Sequence, residues 1–234
     1  MSKHLIFDLD GTLVDSAPMC VAILNAMLAE RGCDRKICPI EIKPFLSLGG
    51  EQMVKALLGA ECGDPQAEIA DFRRRYQITQ TPETSLYAGV RAGLSKLREV
   101  GYHLSICSNK PQNLCHKVLT ELSIDHYFDL VIGGGPTRRA KPEPDMLAAV
   151  LSHHNADAET CLYVGDSEVD HATAHALNMP FLLVTYGYGA PELERLAPRK
   201  AATFAQAIRM ILSEGIERDR PERARARTAI AAVA

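Results

Sequence analysis

Residues 5–16 read Leu5-Ile6-Phe7-Asp8-Leu9-Asp10-Gly11-Thr12-Leu13-Val14-Asp15-Ser16: an apolar run, two carboxylates one residue apart, then a glycine and a hydroxyl. Extended backbone alternates side-chain direction with period two, so Asp8 and Asp10 are expected to point the same way. Carboxylates that close repel each other unless a cation or a proton lies between them. The stretch therefore predicts a metal-assisted reactive centre at the end of a buried strand. A plain strand followed by an Asp-Gly turn is the simpler alternative. It loses ground once the later motifs are counted.

Four more apolar runs, at 104–107, 130–132, 161–164 and 181–184, are continuous rather than alternating. Strands buried on both faces of a parallel sheet have this character. Helical patterns separate them, at 111–122 (opening with Pro111), 143–153 and 168–177. Asp166 and Ser167 are both able to cap the last of these. Asn178 is expected to end it in the left-handed conformation that Asn tolerates, with Pro180 following. Strand–helix alternation predicts an α/β fold with a doubly wound parallel sheet and right-handed crossovers.

Residues 17–83 break that rhythm. No buried strand is evident there, and helical patterns fall at 21–28, 51–58 and 67–76, the last carrying Arg73-Arg74-Arg75. The expected organisation is a core of residues 1–16 and 84–216 with an inserted helical cap at 17–83. The chain returns near Tyr87-Ala88-Gly89-Val90, before a helix at 91–99. Residues 217–234 hold five arginines diluted by acids and alanines and read as a solvated tail.

Bulk composition excludes several function classes. The 234 residues are 47% hydrophobic and 24% charged, with net charge −3, an ordinary globular balance. That charge gives no electrostatic case for a nucleic-acid or membrane partner. With 6% aromatics and no Trp, a base-stacking platform is not expected. The seven cysteines form no CxxC, and Cys107 and Cys161 sit inside apolar runs, as small hydrophobes do. No basic-then-apolar leader precedes the first strand and no run is long enough to span a bilayer. A reduced, cytoplasmic protein is the expectation.

In an open α/β sheet, ligands bind at the carboxyl ends of the strands. Here those ends carry Asp8, Ser108-Asn109-Lys110 and Gly165-Asp166-Ser167, with Asp170 one helical turn on and Lys141 in the loop after the third strand. Such groups suit phosphoryl transfer, which needs donors and positive charge around the phosphoryl oxygens and a nucleophile in line with the leaving group. Asp8, Asp10 and Asp166 offer the hard oxygens that Mg²⁺ prefers. An aspartate is also able to attack phosphorus and form an aspartyl-phosphate. Taken singly, Ser108 reads as a helix cap, Lys141 as a loop lysine, and Asp166 and Asp170 as acids of a first turn. Their order and shared location argue against coincidence.

The chain resembles the haloacid dehalogenase-like hydrolase superfamily, all four of whose motifs are present. Within it the chain is most similar to the phosphoglycolate phosphatases, through residues 7–18, Ser108-Asn109-Lys110-Pro111, Lys141-Pro142, residues 165–170 and Thr185-Tyr186-Gly187-Tyr188-Gly189. Ala88, Asn178 and Gly135 depart from the usual pattern without touching the chemistry. The resemblance implies Mg²⁺-dependent hydrolysis of a small phosphate ester, 2-phosphoglycolate, to glycolate and phosphate. It makes Asp8 the nucleophile and Asp10 the general acid and then base, with the Asp10 carbonyl also on Mg²⁺. Ser108 and Lys141 are to hold the phosphoryl group, helped by Asn109 and the backbone near Gly11 and Thr12. Asp8, Asp10 and Asp166 form the metal set, with Asp170 ordering metal-bound water or Lys141. A monomer or homodimer is expected. Sugar phosphomutases of the β-phosphoglucomutase type use similar motifs and are one alternative; a phosphatase for another small phosphorylated metabolite is the other. A non-catalytic binding protein on the same fold is expected to lack a nucleophile or metal ligand, whereas Asp8, Asp10, Lys141 and Asp166 are all here. The glycolate carboxylate needs donors from the cap. Candidates are Lys43, Arg31 and the amides of Gly49 and Gly50 at a helix start, where anions bind.

Overall fold

The structure, a computed structural model, describes residues 4–46 and 49–214; the expected tail at 217–234 lies outside them. Six strands form one parallel sheet: β1 (His4–Phe7), β2 (His103–Pro111), β3 (Leu130–Gly134), β4 (Cys161–Gly165), β5 (Phe181–Val184) and β6 (Lys200–Ala201). Their spatial order is β3-β2-β1-β4-β5-β6. β1 therefore lies between β2 and β4, where the strand order reverses, and a crevice opens at the carboxyl ends at such a point. Phe7 pairs with Ile106 on one side and Val164 on the other. That register brings Asp8, Ser108 and Asp166, the residues that follow shortly after, to one edge.

Every residue of β1, β4 and β5 is buried, which explains their continuous apolar sequence. Side-chain alternation feeds two layers. Leu5, Phe7, Ile106 and Val164 pack with α5 (Val90–Glu99), α6 (Gln112–Glu121) and α10 (Phe204–Glu214). Ile6, Cys107, Tyr163 and Leu183 pack with α7 (Asp145–His154) and α8 (Glu168–Ala176). Helices on both faces make the sheet doubly wound, as expected. α9 (Leu193–Leu196) is a single turn before β6.

Between β1 and α5 the chain forms four helices: α1 (Ala17–Glu30), α2 (Pro39–Leu46), α3 (Gly50–Leu58) and α4 (Pro65–Ile78). Its exit and return run side by side: Asp15 N–H donates to the Ser85 carbonyl (2.7 Å) and Tyr87 N–H to the Leu13 carbonyl (3.1 Å). All seven cysteines are free thiols. No described helix is long and apolar enough to cross a membrane.

Three local expectations need correction. β2 runs on to Pro111, which occupies the position before α6 rather than its first residue. The reason is a shift in the β2–β3 register between Cys107 and Pro111, which keeps the chain extended while re-aiming residues 108–110. The helix expected from residue 143 starts at Asp145. α2 was not foreseen because Pro44 reads as a breaker, yet it sits inside the helix and buried Ile42 anchors that helix to the others.

Asn178 adopts φ +53°, as its sequence position suggested. Asn178→Gly should change stability by less than about 1 kcal/mol, whereas Asn178→Val, β-branched in a left-handed conformation, should cost about 1–2 kcal/mol in urea unfolding. Equal effects would mean that the left-handed turn is not what selects Asn here.

Candidate active site

Asp8 directly follows β1, buried, at the floor of a cavity between the sheet edge and helices α1–α4. Lys141 Nζ stands 2.9 Å from Asp8 Oδ1. Its hydrogen bonds go elsewhere: to Asp170 Oδ1 (2.6 Å), Tyr163 Oη (2.9 Å) and the Cys107 carbonyl (3.2 Å). These use all three ammonium donors. Asp8 Oδ1 is thus an ion-pair partner with no hydrogen bond of its own, a buried acceptor left open.

Lys141 is held at both ends. Its backbone is clamped by Asn109, whose Oδ1 accepts from Lys141 N–H (2.8 Å) and whose Nδ2 donates to the Lys141 carbonyl (3.0 Å). Its ammonium is fixed by Asp170, which is itself tied to the start of α8. Asp170 Oδ2 accepts from the Ser167 hydroxyl (2.7 Å) and N–H (3.1 Å), closing a capping box. Burial alone would raise the Asp170 carboxyl. The Lys141 ammonium and the hydrogen bonds from Ser167 and Tyr163 outweigh it and hold its pKa below the ordinary value. Burial likewise opposes the charge on Lys141, and Asp170 and Asp8 overcome it, so the amine stays protonated.

Asp166 receives the Thr12 hydroxyl (3.1 Å) and Tyr188 N–H (2.7 Å). Gly11 (φ +85°) and Gly187 leave room for it: a Cβ would lie 2.2 Å and 2.3 Å from its carboxyl. Oxygens of Asp8, Asp166 and Asp170 all lie within 4.8 Å of one another. Three buried carboxylates around one ammonium leave two negative charges uncompensated when all are ionised. Burial, opposed by Lys141, raises Asp8 to about 7. Burial and the Asp170 and Asp8 charges push Asp166 well above the carboxylate range. A divalent cation with hard oxygen ligands matches this excess charge and the open Asp8 oxygen.

The sequence led us to expect a cation between Asp8 and Asp10. The structure gives each its own lysine. Lys110 Nζ lies 2.9 Å from both Asp10 oxygens. It also sits 4.4 Å from the ring centre of Tyr76 on α4, a cation–π contact. The Asp10 side chain is accordingly outside the carboxylate triplet. Of the other anticipated residues, Ser108, Asn109, Gly49 and Gly50 line the cavity, the glycines at the start of α3. Gly11 and Thr12 do not: Gly11 N–H donates to the Val14 carbonyl and the Thr12 hydroxyl serves Asp166. Lys43 is exposed on α2 and outside the lining, and Arg31 is paired with Glu68. Lys110 and Tyr163 were overlooked. Lys110 lies two residues after Ser108 at a strand end, and a Tyr in a buried strand usually needs a partner for its hydroxyl. Both signals were in the sequence.

A family model described as haloacid dehalogenase-like hydrolase matches residues 5–184. The chain belongs to that family. It is 39% identical over 189 residues to a phosphoglycolate phosphatase of Cereibacter sphaeroides, covering 79% of this chain and 85% of that one. It is 36% identical over 207 residues to a phosphoglycolate phosphatase of Rhodobacter capsulatus, covering 84% and 90%. Among solved structures, a predicted phosphoglycolate phosphatase from Haemophilus somnus superposes with TM-score 0.77 at 26% identity, over 89% of this chain and 97% of that one. A β-phosphoglucomutase from Clostridium difficile, at 17% identity and TM-score 0.74 over 92% and 97%, shares the fold.

The charge excess has a pH signature. In the metal-free protein Asp8 binds its proton more tightly than the unfolded chain does, so its contribution to stability is complete below the ordinary carboxyl value of 3.8 and is lost as pH rises through about 7. Asp166 acts in the same direction. A divalent cation binds the ionised forms, so the Tm gain it produces should be larger at pH 8 than at pH 6. The gain should approach about 2.7 kcal/mol at a hundredfold excess over Kd. Thermal melts with and without chelator test this; equal gains at the two pH values would contradict it.

Proposed function

We propose that the protein is a Mg²⁺-dependent phosphatase that hydrolyses 2-phosphoglycolate to glycolate and phosphate through a phosphorylated Asp8. The observation that carries the reading is the Asp8 carboxylate lining the cavity, beside the Lys141 ammonium and close to two further carboxylates. The substrate follows from the two relatives named phosphoglycolate phosphatase, each covered over most of its length.

Asp8, Asp166 and the Asp10 carbonyl are the residues to hold Mg²⁺, with Asp170 supporting from behind Lys141. When bound, the ion screens the repulsion between Asp8 and the anionic substrate. Lys141 and Ser108 hold the phosphoryl oxygens. An Asp8 oxygen attacks phosphorus as the ester P–O bond breaks, and the leaving oxygen takes a proton from Asp10. Water then attacks phosphorus and gives its proton to Asp10, and the Asp8–phosphorus bond breaks. Asn109 and Asp170 keep Lys141 in place through both steps. Lys110, over the Tyr76 ring of α4, holds Asp10 as a carboxylate here; to act as the acid, Asp10 takes up a proton and gives up one of its two contacts with Lys110. Helices α1–α4 form a cap that shields the reaction from bulk water.

Phosphate release from a panel of small phosphomonoesters, with and without Mg²⁺, tests the reading. 2-Phosphoglycolate should give the highest kcat/KM, and chelation should abolish turnover. A flat profile across the panel would remove the substrate assignment. Asp8→Asn, checked for deamidation, should lower kcat by at least about 10³-fold, and Asp10→Asn by about 10²–10⁴-fold.

A further inference from the structure

α4 presents Ile69, Phe72, Arg73 and Tyr76 to the cavity, spaced i, i+3, i+4 and i+7 along one helical face. Three of the four are buried and apolar or aromatic; Arg73 is exposed. The Arg73-Arg74-Arg75 triplet is therefore not one basic patch. Arg74 pairs with Asp71, and Arg75 with Asp71 and Glu30. Helix phase aims Arg73 alone at the cavity.

Three cations line that cavity: Lys141, Lys110 and Arg73. Lys141 is committed to Asp8 and Asp170, and Lys110 to Asp10. No ion pair or hydrogen bond engages Arg73 among the described residues. The surrounding wall is mostly apolar, contributed by Phe45, Met53, Ile69 and Phe72, so an anion inside has few other charged partners. The other side chains considered for this role are placed elsewhere: Lys43 lies outside the lining and Arg31 is paired with Glu68.

We infer that Arg73 is the specificity-determining residue that receives a second anionic group of the substrate, a carboxylate on the leaving group, opposite the phosphoryl end held by Lys141. This deepens the phosphatase reading and rests on it. A guanidinium presents a planar fork of donors that matches a carboxylate with two parallel hydrogen bonds, which a lysine in its place cannot reproduce. Gly49 and Gly50, at the start of α3, also line the cavity. Arg73 touches no reacting atom in this scheme. It selects the substrate.

A matched substrate pair tests the assignment: 2-phosphoglycolate, and 2-hydroxyethyl phosphate, in which a neutral CH₂OH replaces the carboxylate. In Arg73→Ala, kcat/KM on 2-phosphoglycolate should fall roughly 10- to 100-fold more than on 2-hydroxyethyl phosphate, chiefly through KM. Arg73→Lys should recover only part of that difference. Arg74→Ala, altered in the same triplet but outside the cavity, should leave both substrates within about twofold. Equal losses on the two substrates in Arg73→Ala would overturn the inference, because a merely structural role lowers both alike. The phosphatase reading fails separately. If the wild-type protein favours a different carboxylate-bearing phosphomonoester and Arg73→Ala abolishes that preference, Arg73 keeps its role and 2-phosphoglycolate is displaced. If the wild-type protein shows no preference for a carboxylate, the role of Arg73 is refuted.

Discussion

One ammonium organises the site. Lys141 Nζ is buried among Asp8, Asp170, Tyr163 and a β2 carbonyl, and its three donors go to the last three. Asp8 receives the charge of the lysine at 2.9 Å, while the three closest-aligned donors serve its neighbours. Asp8 is thereby held in place and partly neutralised where it lines the cavity. A buried pair stripped of one partner is strongly destabilising, so the surrounding supports are extensive. Asn109 clamps the lysine backbone, and the capping box of α8 fixes Asp170. The same Ser167–Asp170 contact that starts a helix thereby sets the position of the ammonium beside Asp8.

The fold supplies the rest by register. β1 lies between β2 and β4 at the point where strand order reverses, so the residues following three adjacent strands meet at one edge. The register shift in β2 turns residues 108–110 so that Asn109 reaches Lys141 while Lys110 reaches Asp10. The helices above are joined to this edge electrostatically as well as by packing. Lys110 touches Asp10 on one side and the Tyr76 ring on the other. Tyr188 donates its backbone N–H to Asp166 and accepts, at its hydroxyl, from the Ser16 and Ala17 amides where α1 begins. Asp10 and Asp166 are thus wired to helices α4 and α1.

Much of this was legible in the chain. The paired Asp8 and Asp10, the continuous apolar runs and the polar strand ends led to the sheet, to the edge that matters and to most of the core residues. What stayed hidden depended on contacts between distant segments. Nothing in residues 5–16 tells that Asp8 and Asp10 take separate lysines. Tyr163 looked like one more apolar position because its hydroxyl partner, Asp170, comes seven residues later on another element. The Thr12 hydroxyl and the bare Cα of Gly11 seat Asp166, contacts between segments far apart in the chain. Lys43 faces away from the cavity lining on α2, a helix that Pro44 hides in the sequence. The different surroundings of Arg73, Arg74 and Arg75 were not legible because three consecutive arginines look alike until helix phase separates them.

The account rests on Asp8 becoming covalently phosphorylated. The direct measurement is rapid acid quench of the Mg²⁺-loaded protein during turnover of 2-phosphoglycolate, hydroxylamine trapping of the acyl phosphate, and peptide mass mapping. Modification should fall on Asp8 alone and vanish when substrate is omitted. Full turnover with no trapped Asp8, or with the modification on Asp10 or another residue, would contradict it.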